Sequence, residues 1–124
     1  MAKKIVVMDD EPNIADLYAE ALADEGYETH RVTQSLRFFD ALKEHQPNLV
    51  LLDLMMPNLD GFDELKLMKM AGREGQIPVI VVTAHPNVSR AEQELRSAGV
   101  VHIVQKPPDL DQLIELVEQT IGSP

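Results

Sequence analysis

The sequence predicts a doubly wound α/β domain, five parallel strands with helices on both faces, and three observations predict it. Four short apolar runs, Ile5-Val6-Val7-Met8, Leu49-Val50-Leu51-Leu52, Val79-Ile80-Val81-Val82 and Val100 to Val104, lack polar alternation. That is the pattern of strands covered on both faces. Stretches with helical spacing lie between the runs. At 124 residues the chain has the size of one ordinary domain, so a single domain over 1–124 is expected.

The elements follow in order. The first strand runs straight into Asp9-Asp10-Glu11-Pro12. In the first helix Ile14, Leu17, Tyr18, Ala21 and Leu22 form the apolar stripe, Pro12 suits the first turn and Gly26 is the stop. Glu28-Thr29-His30-Arg31-Val32 is the candidate for the second strand, half polar as an edge strand should be. Leu36, Phe39 and Leu42 mark a second helix ending at Pro47. Beyond the third strand Gly61 supplies a permissive turn, and Phe62, Leu65 and Met68 mark a third helix. Val88, Ala91, Leu95 and Ala98 mark a fourth, and Leu110, Leu113, Ile114, Val117 and Ile121 a fifth. Right-handed crossovers make such alternating units a parallel sheet. The order 2-1-3-4-5 puts the polar second strand at an edge and the apolar first, third and fourth strands inside. Gly122-Ser123-Pro124 reads as a frayed end. The lack of a trailing linker or effector sequence slightly favours a stand-alone chain, but an excised domain would read the same.

Composition excludes several function classes. Hydrophobic residues at 44% and charged residues at 26% are the balance of a folded soluble chain. Eleven basic against 21 acidic side chains give a net charge of −10, which disfavours a nucleic-acid backbone and suits a cation or a basic partner surface. There is no cysteine, so disulfides, thiolate metal sites and cysteine nucleophiles are excluded. No apolar run approaches a membrane span, and the short apolar stretch after Met1 is no signal peptide, so a cytoplasmic location is expected.

Each apolar strand leads into a reactive residue type: Asp9 and Asp10 after the first, Asp53 after the third, Thr83 after the fourth, Lys106 beyond the fifth. In an open parallel sheet these emerge along one edge, and ligands bind outside the carboxyl ends where strand order reverses, here between strands one and three. Three carboxylates in one small pocket raise one another's pKa and call for a cation. Oxygen-only ligands select a hard ion, Mg²⁺ (or Mn²⁺) rather than a fully caged Ca²⁺. A metal, an acidic nucleophile, a hydroxyl and a lysine are the parts needed for phosphoryl transfer onto Asp53. Taken singly the residues have plainer readings: Asp10 as a helix cap, Thr83 as a turn residue, Lys106 as a surface charge. Their coincidence at one crevice favours chemistry.

At these positions the motifs Val7-Met8-Asp9-Asp10-Glu11-Pro12, Leu52-Asp53-Leu54-Met55-Met56-Pro57-Asn58-Leu59-Asp60-Gly61, Val82-Thr83-Ala84 and Gln105-Lys106-Pro107 resemble, in order and spacing, those of receiver domains from two-component response regulators, which have a flavodoxin-like three-layer fold. The resemblance implies that Asp53 is the phosphoacceptor and that Asp10 and Asp53 ligate Mg²⁺. Asp9 then acts largely through water, and the Met55 carbonyl completes the protein ligands. Thr83 and Lys106 engage the phosphoryl oxygens. It also implies a cis peptide between Lys106 and Pro107 that aims the ammonium back at Asp53. The donor would be a phosphohistidine on a sensor histidine kinase or phosphotransfer protein, with small phosphodonors as substitutes. The chain would be a signalling phosphoacceptor and not an enzyme beyond its own phosphorylation and slow dephosphorylation. An effector or output domain would bind the face of the fourth helix, fifth strand and fifth helix, and a phosphorylation-dependent dimer is compatible with the family. Neither nucleic acid nor membrane is an expected partner of this domain.

Two positions depart from the family pattern. Ile103 stands where an aromatic ring is usual, so the response to phosphorylation is expected in the backbone from Ala84 to Arg90 and not in a ring rotation. Pro108 stands where another aromatic is frequent. His30, His45 and His102 lack metal-ligand spacing and read as structural, whereas His85 should border the pocket and, with Met55, tune water access. Met55, Met56, Met68 and Met70 read as packing residues.

Three other functions compete. A degenerate receiver acting as a constitutive interaction module would lack some of the five site residues, and all are present. A flavin or nucleotide binder would need a glycine-rich loop after the first strand, where Asp9-Asp10-Glu11 stands. An aspartyl-nucleophile phosphatase would need an acid two residues after Asp53, where Met55 stands.

Overall fold

Why the apolar runs become buried strands is visible in their pairing. The computed structural model describes residues 2–53, 77–84, 92–97 and 99–124. The strands β1 (Lys4–Met8), β2 (Glu28–Val32), β3 (Leu49–Leu52), β4 (Val79–Thr83) and β5 (Val100–Gln105) form one parallel sheet in the order β2-β1-β3-β4-β5. This is the expected order, with half-polar β2 at one edge. Every residue of β3 and β4 is buried, because helices cover both faces. The helices among the described residues are α1 (Pro12–Asp24), α2 (Phe38–His45), α3 (Glu92–Ser97) and α4 (Leu110–Ile121). The third predicted helix, with Gly61, Met56, Met68 and Met70, lies outside the described residues.

Alternation sorts the core into two layers. Val6, Met8, Val50, Leu52, Val79 and Val81 face Phe38, Leu42 and Leu95. Ile5, Val7, Leu49, Leu51, Ile80 and Val82 face Ala15, Tyr18, Leu22, Leu113 and Val117. Each fully buried Leu, Ile, Val or Phe contributes about 1.5–3 kcal/mol.

Two helix faces differ from the sequence reading. In α1 the buried stripe is Ala15, Tyr18, Ala19 and Leu22, and Leu17, expected inside, is 46% exposed. The two alanines let α1 approach the sheet closely, which turns the stripe by one position. Leu36, expected in the second helix, sits in a 3₁₀ turn (Ser35–Arg37) and is 84% exposed, while Phe38, Ala41 and Leu42 make the buried face of α2.

Helix ends follow local chemistry. Pro12 opens α1, and Gly26 follows its end at φ +109°, a conformation that L side chains rarely adopt. Asp109 caps α4, accepting from the backbone N–H of Asp111 at 2.9 Å and Gln112 at 3.2 Å. The end of the chain is held where fraying was expected. The Tyr27 hydroxyl donates to the Gly122 carbonyl at 2.7 Å, and the Lys3 ammonium donates to the Ile121 carbonyl. The Lys106–Pro107 peptide is cis, as the resemblance implied.

One irregularity was not foreseen. Val79 pairs with Val100 but Ile80 pairs with His102, so Val101 is an extra residue in β5. In this bulge the Val101 carbonyl accepts from Arg96 Nη1 on α3 at 3.1 Å. Beyond it Ile103 packs on the α2/α3 layer and Val104 on the α1/α4 layer.

Candidate functional site

Strand register brings the site together. Met8 pairs with Leu52, so Asp9 and Asp53 emerge side by side, and the Asp53 N–H donates to the Met8 carbonyl at 3.1 Å. Thr83 closes β4 opposite Gln105, and the Lys106 N–H donates to the Thr83 carbonyl at 2.9 Å. Among the described residues, the buried polar or charged ones are Asp9, Asp53 and Thr83, at 1%, 5% and 0% exposure.

The period of two then divides these residues between the faces. Asp9 follows Val7, Asp53 follows Leu51 and Lys106 follows Val104, each by two positions on the α1/α4 side. Thr83 follows Val81 on the other side, the side on which Ile103 packs.

Lys106 ties the acidic residues together. Its Nζ donates to Asp9 Oδ2 at 2.8 Å and to Asp53 Oδ2 at 3.3 Å. Burial pulls the Lys106 pKa down, but the hydrogen bond to Asp9 and the charges of Asp53 and Asp9 outweigh it and hold the ammonium above the usual lysine value. The other Asp9 oxygen accepts the Glu11 N–H at 3.0 Å. This bond stabilises the turn from β1 into α1. Asp10, weighed as a cap, makes none: the N-cap of α1 is Glu11, and no side chain caps it. Asp10 is left half-buried with its pKa raised, first by burial and then by Asp9 and Asp53.

Asp9, Asp10 and Asp53 each offer a carboxylate oxygen within 4.8 Å of the others, a set that could hold a metal ion. One ammonium against three carboxylates leaves excess negative charge, and hard oxygen donors suit a hard divalent cation. The structure therefore brings together Asp9, Asp10, Asp53 and Lys106 and places Thr83 at the adjoining strand end. Ile103 lies one layer away, half-buried. Met55 and His85 lie outside the described residues.

The remaining histidines are structural neighbours. His30 and His45 stack at 3.5 Å between centroids, His30 lies 2.7 Å from Glu28, and His102 sits in β5. The sequence reading missed the Lys106–Asp9 pair, which the shared strand face could have signalled.

Comparison with known proteins places this arrangement. The family model for the response regulator receiver domain matches residues 5–118. The sporulation initiation phosphotransferase F of Bacillus subtilis is 32% identical over 119 residues, covering 96% of this chain and 94% of that protein. The polar-differentiation response regulator DivK of Brucella anthropi is 30% identical over 122 residues, covering 98% of both. The regulatory protein AtoC of Escherichia coli is 35% identical over 118 residues, but the chain spans only 25% of its length. Among solved structures, the receiver domain of NtrX from Brucella abortus superposes with a TM-score of 0.83 at 34% identity, covering 94% of this chain and 97% of that one. No described helix is long and apolar enough to cross a membrane.

Proposed function

Because the chain belongs to the response regulator receiver domain family, we propose that residues 1–124 act as one phosphoacceptor unit of a cytoplasmic phosphorelay, taking a phosphoryl group onto Asp53. The observation that carries this reading is the Lys106 ammonium set between Asp9 and Asp53, at 2.8 and 3.3 Å, beside a third carboxylate.

Asp53 supplies a carboxylate oxygen that attacks phosphorus in line. The bond from phosphorus to the donor nitrogen of a phosphohistidine breaks, and an acyl phosphate forms. Asp10 and Asp53 would hold Mg²⁺ or Mn²⁺, with Asp9 acting through water and the Met55 carbonyl completing the set. A bound ion supplies neutralisation of the phosphoryl oxygens. That Asp9 already spends both oxygens, on Lys106 and on the Glu11 N–H, supports its indirect part. Lys106 neutralises a phosphoryl oxygen, and Thr83 donates its hydroxyl to another. His85, two residues after Thr83 in the sequence, would tune water access.

The donor is a sensor histidine kinase or a histidine phosphotransfer protein, and the chain is a signalling domain that catalyses only its own phosphorylation and slow dephosphorylation. Drawing Thr83 toward the phosphoryl group relays the change to the face of α3, β5 and α4, where an effector, an output domain or a second copy binds. Ile103 is β-branched, stiff and packed inward, so the response lies in the backbone from Ala84 to Arg90.

Intact-mass analysis after incubation with acetyl phosphate and Mg²⁺ tests the reading. One phosphoryl adduct is expected on the wild type and none on Asp53→Ala. An unlabelled wild type would instead establish a constitutive interaction module.

A further inference from the structure

On a regular strand, residues three apart face opposite sides of the sheet. In β5 they do not. Val100 and Ile103 both pack on the α2/α3 layer, and Val101 and Val104 both pack on the α1/α4 layer. The extra residue is the cause, because Val79 pairs with Val100 while Ile80 pairs with His102. Lys106, two positions after Val104, thereby meets Asp9 and Asp53.

The same chain could pair without the bulge. Val101 would then oppose Ile80, His102 would oppose Val81, and Val104 would oppose Thr83. A one-residue slip turns every later side chain to the other face. Lys106 would follow Val104 to the side of Thr83, away from both carboxylates. Burial discriminates weakly between the two registers, since the run from Val100 to Val104 carries apolar residues on both faces. Within that run only His102 is penalised, moving from opposite Ile80 to the α2/α3 layer beside Val81.

One carbonyl also tells the registers apart. The Gly99 carbonyl accepts the Val79 N–H at 3.2 Å. In an unbroken parallel ladder the Val101 carbonyl, two residues on, would likewise turn toward β4. In the bulge it accepts instead from Arg96 Nη1 on α3, at 3.1 Å.

We propose that Arg96 is a positioning residue for Lys106: by holding the Val101 carbonyl it selects the bulged register, and the register sets the face on which the ammonium lies. The effect on phosphoryl transfer rests on the phosphoacceptor reading above; the choice of register does not.

The test begins without phosphoryl transfer. In the full chain with ¹³C-labelled lysine, the Lys106 Cε resonance is assigned by its loss in Lys106→Met. Val101 lies five residues before Lys106, about 16 Å along a strand, so removing the Arg96 hydrogen bond cannot reach that resonance by contact. Arg96→Met should nevertheless shift it and broaden the amide resonances from Val101 to Gln105. His102→Val, which keeps the chain length and lifts the penalty on the slipped register, should move it the same way. Deleting Val101 leaves a chain whose regular pairing already sets Lys106 beside Asp9 and Asp53, and there Arg96→Met should leave the resonance in place. With acetyl phosphate and Mg²⁺, Arg96→Met in the full chain should label about threefold more slowly at saturating donor, with the half-saturating concentration unchanged. An unmoved Lys106 resonance in Arg96→Met or in His102→Val, or an equal shift when Arg96→Met is made in the Val101-deleted chain, overturns the proposal. If the resonance follows the register while the wild type takes no phosphoryl group, the role of Arg96 stands and the phosphoacceptor reading falls.

Discussion

On one face of the sheet the rows through Val7, Leu51 and Val104 lead to Asp9, Asp53 and Lys106; on the other, the row through Val81 leads to Thr83, with Ile103 alongside. Both faces pack apolar side chains to near-complete burial. One carries Asp9, Asp53 and Lys106; the other, by the same period, carries Asp10 after Met8. The difference shows how a strand period of two separates the group that would accept a phosphoryl from the group that would report it. Thr83, buried at the end of an interior strand, would be the link between them in the proposed mechanism.

The sharpest way to break this comparison is to remove the acceptor. Asp53→Ala should lose all labelling by acetyl phosphate in intact-mass analysis, and excess chelator should abolish labelling of the wild type. Retained labelling in either case would mean that the charged face does not hold the chemistry.

Packing should be indifferent to the division. Leu42 and Leu113 are each 1% exposed, one in each layer. Replacing either with alanine should cost about 2–5 kcal/mol in urea unfolding, transfer and cavity terms together. A cost confined to one layer would show that the two faces are not equivalent supports.

Metal binding should act on the acidic cluster of Asp9, Asp10 and Asp53. Mg²⁺ at a hundred times its dissociation constant should stabilise the chain by about 2.7 kcal/mol, and Asp10→Asn should remove most of that gain. Without metal the same substitution should raise stability at neutral pH. The Asp10 pKa is raised in the fold by burial and by its acidic neighbours, so ionisation disfavours the folded state above that raised value. The advantage of Asp10→Asn should shrink as pH falls through the raised value toward 3.8. A metal-free variant less stable than wild type at pH 7 would contradict the assignment.

The smallest effect is expected on the reporting face. Ile103→Ala should leave intact the backbone shifts that a phosphoryl mimic induces over residues 84 to 104. Their loss, with Asp53 still binding the mimic, would make Ile103 an essential relay.

Much of this was legible in the sequence because it depends on short-range pattern. Four apolar runs gave four strands, the half-polar Glu28–Val32 gave the fifth at the edge, and the residues after the runs gave Asp9, Asp10, Asp53, Thr83 and Lys106. What escaped depends on distances between elements. Leu17 points outward because Ala15 and Ala19 set how close α1 lies to the sheet, a fact about helix–sheet spacing and not about periodicity. Leu36 fits the apolar spacing of α2 yet falls in the turn before it. The bond that the Glu11 N–H donates to Asp9, formed where a cap by Asp10 is the plainer alternative, depends on which carboxylate the end of β1 turns inward.

The extra residue Val101 has a consequence for the chain's colloidal behaviour. β5 is an edge strand, and an unbroken edge offers a ladder to which another molecule's strand can be added. At Val101 the regular spacing is interrupted, and its carbonyl is already engaged by Arg96. A chain approaching in register would find a mismatched rung there, so the bulge acts as a guard against edge-to-edge aggregation at the margin nearest Lys106.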